Sequence, residues 1–92
     1  MEKTTQRNDK LRKTLLRRLR TVEGQVRGIQ GMVENDAYCD DVLNQIAAAR
    51  AALTGISKLL LENHLHSCVS RRLHEGHEEV LDELMQTISR LL

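Results

Sequence analysis

The chain has 92 residues, no proline, no Phe or Trp, a single Tyr and a net charge of +1. This bounds it to one domain, residues 1–92, with an aliphatic core. No stretch approaches the ~20 apolar residues of a membrane span, and nothing reads as a secretory leader, so a cytoplasmic location with reduced thiols is expected. The charge is uneven: residues 1–35 carry nine Lys/Arg against four Asp/Glu, and residues 36–92 carry five against nine. The basic half is a candidate surface for a polyanion.

Residues 1–8 are polar and expected to be disordered. A first helix is predicted from Asp9, because Leu11, Leu15, Leu19, Val22, Val26, Ile29 and Val33 step by 4, 4, 3, 4, 3 and 4, the spacing of one helical face. Lys10, Arg12, Lys13, Arg17, Arg18 and Arg20 cover the rest of its first half with no intervening acid, whereas a merely solvated face usually mixes signs. Gly24, Gly28 and Gly31 lie inside the same helix, each costing about 1 kcal/mol relative to Ala. They predict either a close approach by another helix or a kink.

Asn35-Asp36-Ala37 breaks the pattern, and Asp36 is a candidate N-cap for a second helix, with Asp40 and Asp41 in its first turn. Val42, Ile46, Ala49, Leu53, Ile56 and Leu60 continue as a stripe that His64 and Cys68 extend. This run, from Tyr38 to Arg72, is about 51 Å long as a helix, longer than the ~32 Å diameter of a compact domain of this size, so an oligomer is expected. Gly76 ends the run. A third helix has Glu78 and Glu79 in its first turn and Leu81, Leu84, Ile88 and Leu91 as its stripe. The fold class expected is all-α.

His64 and Cys68 are four residues apart and share a helical face. Imidazole plus thiolate is a soft metal-ligand pair. Cys39 is the other thiol, 29 residues from Cys68, or roughly 44 Å along one helix. If the three act together, they do so across an interface between antiparallel copies. Three ligands without a Cys-x-x-Cys pair fall short of a structural zinc site, whereas two sulfurs and an imidazole suit Cu(I). The spacing alone fits equally well a buried, inert Cys68 and a hydrogen-bonded interface His64. His66 points away from His64, and His74 and His77 flank the Gly76 turn in solvent. No catalytic triad order, phosphate loop, dinucleotide fingerprint or helix-turn-helix signal is present.

Arg18-Leu19-Arg20-Thr21-Val22-Glu23-Gly24-Gln25-Val26-Arg27-Gly28-Ile29, Met32-Val33-Glu34, Tyr38-Cys39, Val42-Leu43, Gln45-Ile46 and Glu62-Asn63-His64 through Cys68 closely resemble the copper-sensing repressor family (CsoR, within the CsoR/RcnR group), over about residues 11–92. The resemblance implies a three-helix protomer, an antiparallel four-helix-bundle dimer and a dimer-of-dimers homotetramer. It implies an apo-protein that represses transcription by binding double-stranded operator DNA and that Cu(I), as regulatory ligand, releases. It is not an enzyme family, and no small-molecule substrate or membrane is implied.

The family's ligand set falls on Cys39, His64 and Cys68. Its outer contacts to the ligand histidine fall on Tyr38 and, after a one-residue gap near Gly76, on Glu83, which could take the imidazole's other nitrogen. Its DNA-binding arginine falls on Arg18, while Lys13, Arg17 and Arg50 join it on charge and helix position. His64 separates this chain from persulfide-sensing relatives, which keep both cysteines and lack the histidine. The absence of any histidine before His64 separates it from nickel and cobalt sensors. A persulfide sensor using Cys39 and Cys68, and a helical copper-binding protein with no DNA role, are the alternative readings.

Overall fold

A computed structural model describes residues 7–91 of the chain. Those residues are helical apart from short turns, in the order α1 (Asp9–Glu34), α2 (Cys39–Asn63), a π-helical segment (His64–Val69), α3 (Ser70–His74) and α4 (Glu79–Leu91). α2, the π segment and α3 follow one another without an intervening residue. Three helical stretches are therefore present, as the periodicity predicts. The chain divides into two compact units, Met1–Ile56 and Ser57–Leu92.

In the first unit, α1 starts where expected because Asn8 caps it: its side-chain Oδ1 accepts from the Leu11 backbone N–H at 2.7 Å. Asn8 thus caps the helix instead of belonging to a disordered start, and residues 1–6 of that expectation lie outside the described residues. Arg12 reaches back to Asp9 in the same turn. α1 closes in a Schellman motif, with Ala37 N–H donating to Met32 O at 2.9 Å and Asp36 N–H to Val33 O at 3.2 Å. Asp36 holds the left-handed position of that motif, φ 53°. It therefore ends α1 rather than capping α2, whose first residue is Cys39. Asp has a short polar side chain and visits this region at lower cost than most residues.

The apolar stripes of this unit are covered only at alternate steps. Leu15 and Val22 of α1 and Ala49 and Ile56 of α2 are buried, while Leu19, Val26, Val33, Leu43, Ile46 and Leu53 remain exposed. A Cβ placed on Gly24, Gly28 or Gly31 meets nothing within 4 Å. The close helix approach expected there does not occur among the described residues of one chain.

The second unit is built on Val69, Val80 and Leu84, with Leu61 and Ile88 packed against them. Val80 is the most deeply buried residue, 1% exposed. The face of α4 turned to this core thus runs Val80–Leu84–Ile88, one residue off the predicted Leu81–Leu84–Ile88–Leu91, and Leu81 and Leu91 stand in solvent. Residues 80 and 81 both lie within a helical turn of Leu84, so periodicity alone does not choose between them.

α3 ends in a second Schellman motif: His77 N–H donates to Arg72 O at 2.9 Å and Gly76 N–H to Leu73 O at 3.1 Å. Gly76 has φ +84°, as its predicted role as helix terminator requires. The Arg72 guanidinium then clasps α4, with Nη2 donating to Glu79 Oε1 at 3.4 Å and Nη1 to Glu83 Oε2 at 3.3 Å. The Glu79 carboxyl is held below the ordinary carboxylate range, first by its own backbone N–H; desolvation opposes this, and His77 and Arg72 add smaller lowering effects.

Two stability predictions follow from this unit. Gly76→Ala forces a Cβ into the left-handed region and lowers unfolding free energy by about 1 kcal/mol, and Leu84→Ala empties part of the core and lowers it by about 2–3 kcal/mol. Both are read by urea denaturation at one fixed protein concentration, with Leu81→Ala, on the solvent side of α4, close to wild type.

Candidate functional site

The local chain path presents the two cysteines differently. Cys39 is the first residue of α2 and is exposed. It follows Tyr38, whose side chain is 72% exposed and whose carbonyl accepts the first bond of the new helix from Val42 N–H at 3.1 Å. Cys68 is buried, and Val69 beside it belongs to the core of the second unit.

His64 and Cys68 lie in one structural element, as the spacing predicts, but that element is not an α-helix. His64 opens the π-helical segment and Cys68 is its fifth residue. The Ser70 N–H that closes the segment reaches back five residues to Leu65 O. Single π-helical turns within α-helices are uncommon and concentrate at functional sites. The sequence carries a faint signal for this turn. His64, His66, Ser67, Cys68 and Val69 are all weaker α-formers than the Leu59-Leu60-Leu61 run before them. His64 is half-buried, whereas His66, His74 and His77 are exposed, and His77 Nδ1 pairs with Glu79 Oε1 at 3.1 Å.

The donor set has the chemistry of a soft-metal site: two free thiols and a histidine, with no disulfide between the cysteines. Among the described residues of the single chain, no three His, Cys, Asp or Glu side chains gather at metal-binding distance. His64 and Cys68 belong to the second compact unit and Cys39 to the first. Glu83, expected near the ligand histidine, lies on α4 with Arg72 as a partner.

The basic candidates separate into two groups. Lys13, Arg17 and Arg50 are exposed. Arg18 is solvent-accessible too, but its guanidinium leans over α2, with Nη1 3.9 Å from where a Cβ on Gly55 would stand. There Arg18 and Thr21 of α1 line a groove with Ala52, Gly55 and Ile56 of α2. Of the glycines inside helices, Gly55 is the one at which a Cβ would meet another residue within 4 Å, and it would do so at ordinary contact distance.

Residues 11–90 match the metal-sensitive transcriptional repressor family. The chain is 42% identical to the copper-sensing transcriptional repressor CsoR of Bacillus subtilis over 85 residues, which cover 91% of this chain and 84% of that one. It is 48% identical to the copper-sensing transcriptional repressor RicR of Mycobacterium tuberculosis over 79 residues, covering 83% and 82%. Its fold is similar to the crystal structure of the copper-sensing repressor CsoR with Cu(I) from Geobacillus thermodenitrificans, with a TM-score of 0.88, 42% identity and coverage of 95% of this chain and 92% of that one. The nickel-responsive transcriptional regulator InrS is a more distant match, with a TM-score of 0.73, 36% identity and coverage of 97% and 98%. The helical architecture, the thiol and imidazole donors and these likenesses agree: the chain belongs to the metal-sensitive transcriptional repressor family.

Proposed function

We propose that the chain is a Cu(I)-responsive transcriptional repressor that holds operator DNA in its metal-free form and lets go when Cu(I) binds. One observation carries the choice of metal. In a chain of this repressor family, a buried thiol and an imidazole share one turn, and the only other thiol opens α2. Cys39, His64 and Cys68 hold the ion. Cys39 and Cys68 would each offer Cu(I) a sulfur lone pair and His64 one imidazole nitrogen. The thiols lose their protons on binding. His64 is thereby fixed in one tautomer, and its remaining ring nitrogen becomes a donor for the Glu83 carboxylate or for Tyr38. Arg72 is one partner of Glu83 across the α3–α4 turn, so a new bond to His64 draws on a carboxylate that already ties α4 in place.

The whole chain serves as one DNA-binding, metal-sensing domain. It assembles as a homotetramer made from antiparallel four-helix-bundle dimers. The uncovered halves of the α1 and α2 stripes support this, since a single chain leaves Leu19, Val26, Ile46 and Leu53 in water. Assembly also supplies Cys39 from one copy to His64 and Cys68 of another. The protein works in the cytoplasm and performs no enzymatic step. Lys13, Arg17, Arg18 and Arg50 supply phosphate contacts.

The test is binding of the DNA upstream of its own coding sequence, measured anaerobically with and without Cu(I). Metal-free protein is expected to bind, and one Cu(I) per chain to release it. Release by sulfane sulfur but not by Cu(I) would transfer the site to persulfide chemistry on Cys39 and Cys68, and absence of any duplex binding would leave a copper-binding protein with no DNA role. His64→Ala is expected to retain Cu(I) through the two thiolates yet lose most of the Cu(I)-driven release. Affinity for DNA is also expected to fall steeply with salt, by about 0.9 in log–log slope for each phosphate neutralised.

A further inference from the structure

α1 carries a second row that the candidate DNA residues only begin. Lys13, Arg17, Arg20, Gly24, Arg27 and Gly31 step by 4, 3, 4, 3 and 4, so they share one face of the helix. This row is two residues out of phase with the apolar stripe that starts at Leu11, which places it on the opposite side of α1. Its four cations are all exposed. Lys13, Arg17 and Arg20 have no ion-pair partner among the described residues. Arg27 has a loose one, Glu23 at 3.8 Å, with both side chains largely in solvent, the kind of pair that contributes little. Between Arg20 and Arg27 the face carries Gly24, above which there is open space. Arg18 is not part of the row, because it leans toward Gly55 on α2.

We propose that Arg20 and Arg27 extend the duplex-binding surface along the outer face of α1, so that Lys13, Arg17, Arg20 and Arg27 together track DNA phosphates. This rests on the DNA-binding reading above and specifies the surface that carries it. From Lys13 to Arg27 the row is about 21 Å long, and a duplex of that length carries about a dozen phosphates, enough for every cation to find a partner without bending the helix. Phosphate contacts fix position without reading sequence, so the row supplies affinity to any duplex.

The experiment uses the full chain and a fluorescent 30-base-pair duplex of arbitrary sequence, titrated at several salt concentrations. Arg20→Ala/Arg27→Ala is expected to weaken binding about tenfold or more at low salt and to flatten the log–log salt slope by about 2 for each chain in contact with DNA. Gly24→Glu places an acid in the open space mid-row without removing any cation, and is expected to weaken binding as well. Lys58→Ala/Arg90→Ala removes the same number of charges from other helices and is expected to bind as wild type. Helical circular dichroism should be retained in all three.

If Arg20→Ala/Arg27→Ala and Gly24→Glu both bind like the control pair while Lys13→Ala/Arg17→Ala weakens binding, the extension is wrong and the DNA-binding reading stands. If wild-type protein binds no duplex at any salt, the DNA-binding reading itself fails. A change in assembly size with unchanged duplex affinity would assign the row to contact with another copy and overturn the proposal.

Discussion

What constrains this molecule most is apolar surface that one chain cannot cover. Without Phe, Trp or proline, its core is made of small aliphatic side chains on long helices. Among the described residues eight are buried, whereas thirteen large apolar side chains stand in water. At ~25 cal/mol per Å², such surface is a standing drive toward association, and its regular placement on α1 and α2 directs that drive along helix faces. In the sensor proposed above, association along those faces would complete the fold and bring together two thiols that lie at the start of α2 and beyond its end.

The two compact units divide the chemistry. The first carries the basic helix and Cys39, and the second carries His64, Cys68 and the small core beneath α4. In the second unit a single arginine, Arg72, holds two acids of α4 at 3.3 and 3.4 Å. These contacts are partly exposed and of modest strength, so they leave the Glu83 carboxylate open to the exchange of partners proposed above.

Much of this was legible in the residues, and the exceptions have identifiable causes. The start of α1 follows from its periodicity and the end of α3 from Gly76, whereas the Asn8 cap falls in a stretch that its polarity alone marks as disordered. The shared element of His64 and Cys68 follows from their spacing, and their choice as proposed donors from chemical type. Asp36 is ambiguous in the sequence because acids both cap helix starts and tolerate left-handed ends, and only the backbone path distinguishes the two. Leu81 and Val80 are equally compatible with the stripe because adjacent apolar residues give a period of 3.6 no unique phase. The glycines of α1 raised an expectation of close packing that one chain does not meet. The Arg72 clasp joins residues on either side of a turn, beyond any local pattern.

The π-helical segment has an evolutionary consequence. Such a turn accommodates one more residue than an α-helical turn, so a single-codon deletion between His64 and Val69 can be absorbed by reversion to ordinary α geometry without breaking the local helix. The distance and angle between imidazole and thiol are thus adjustable by one residue while the flanking helices survive. Insertion and deletion can change the spacing of imidazole and thiol here, as exchange of side chains changes their chemistry.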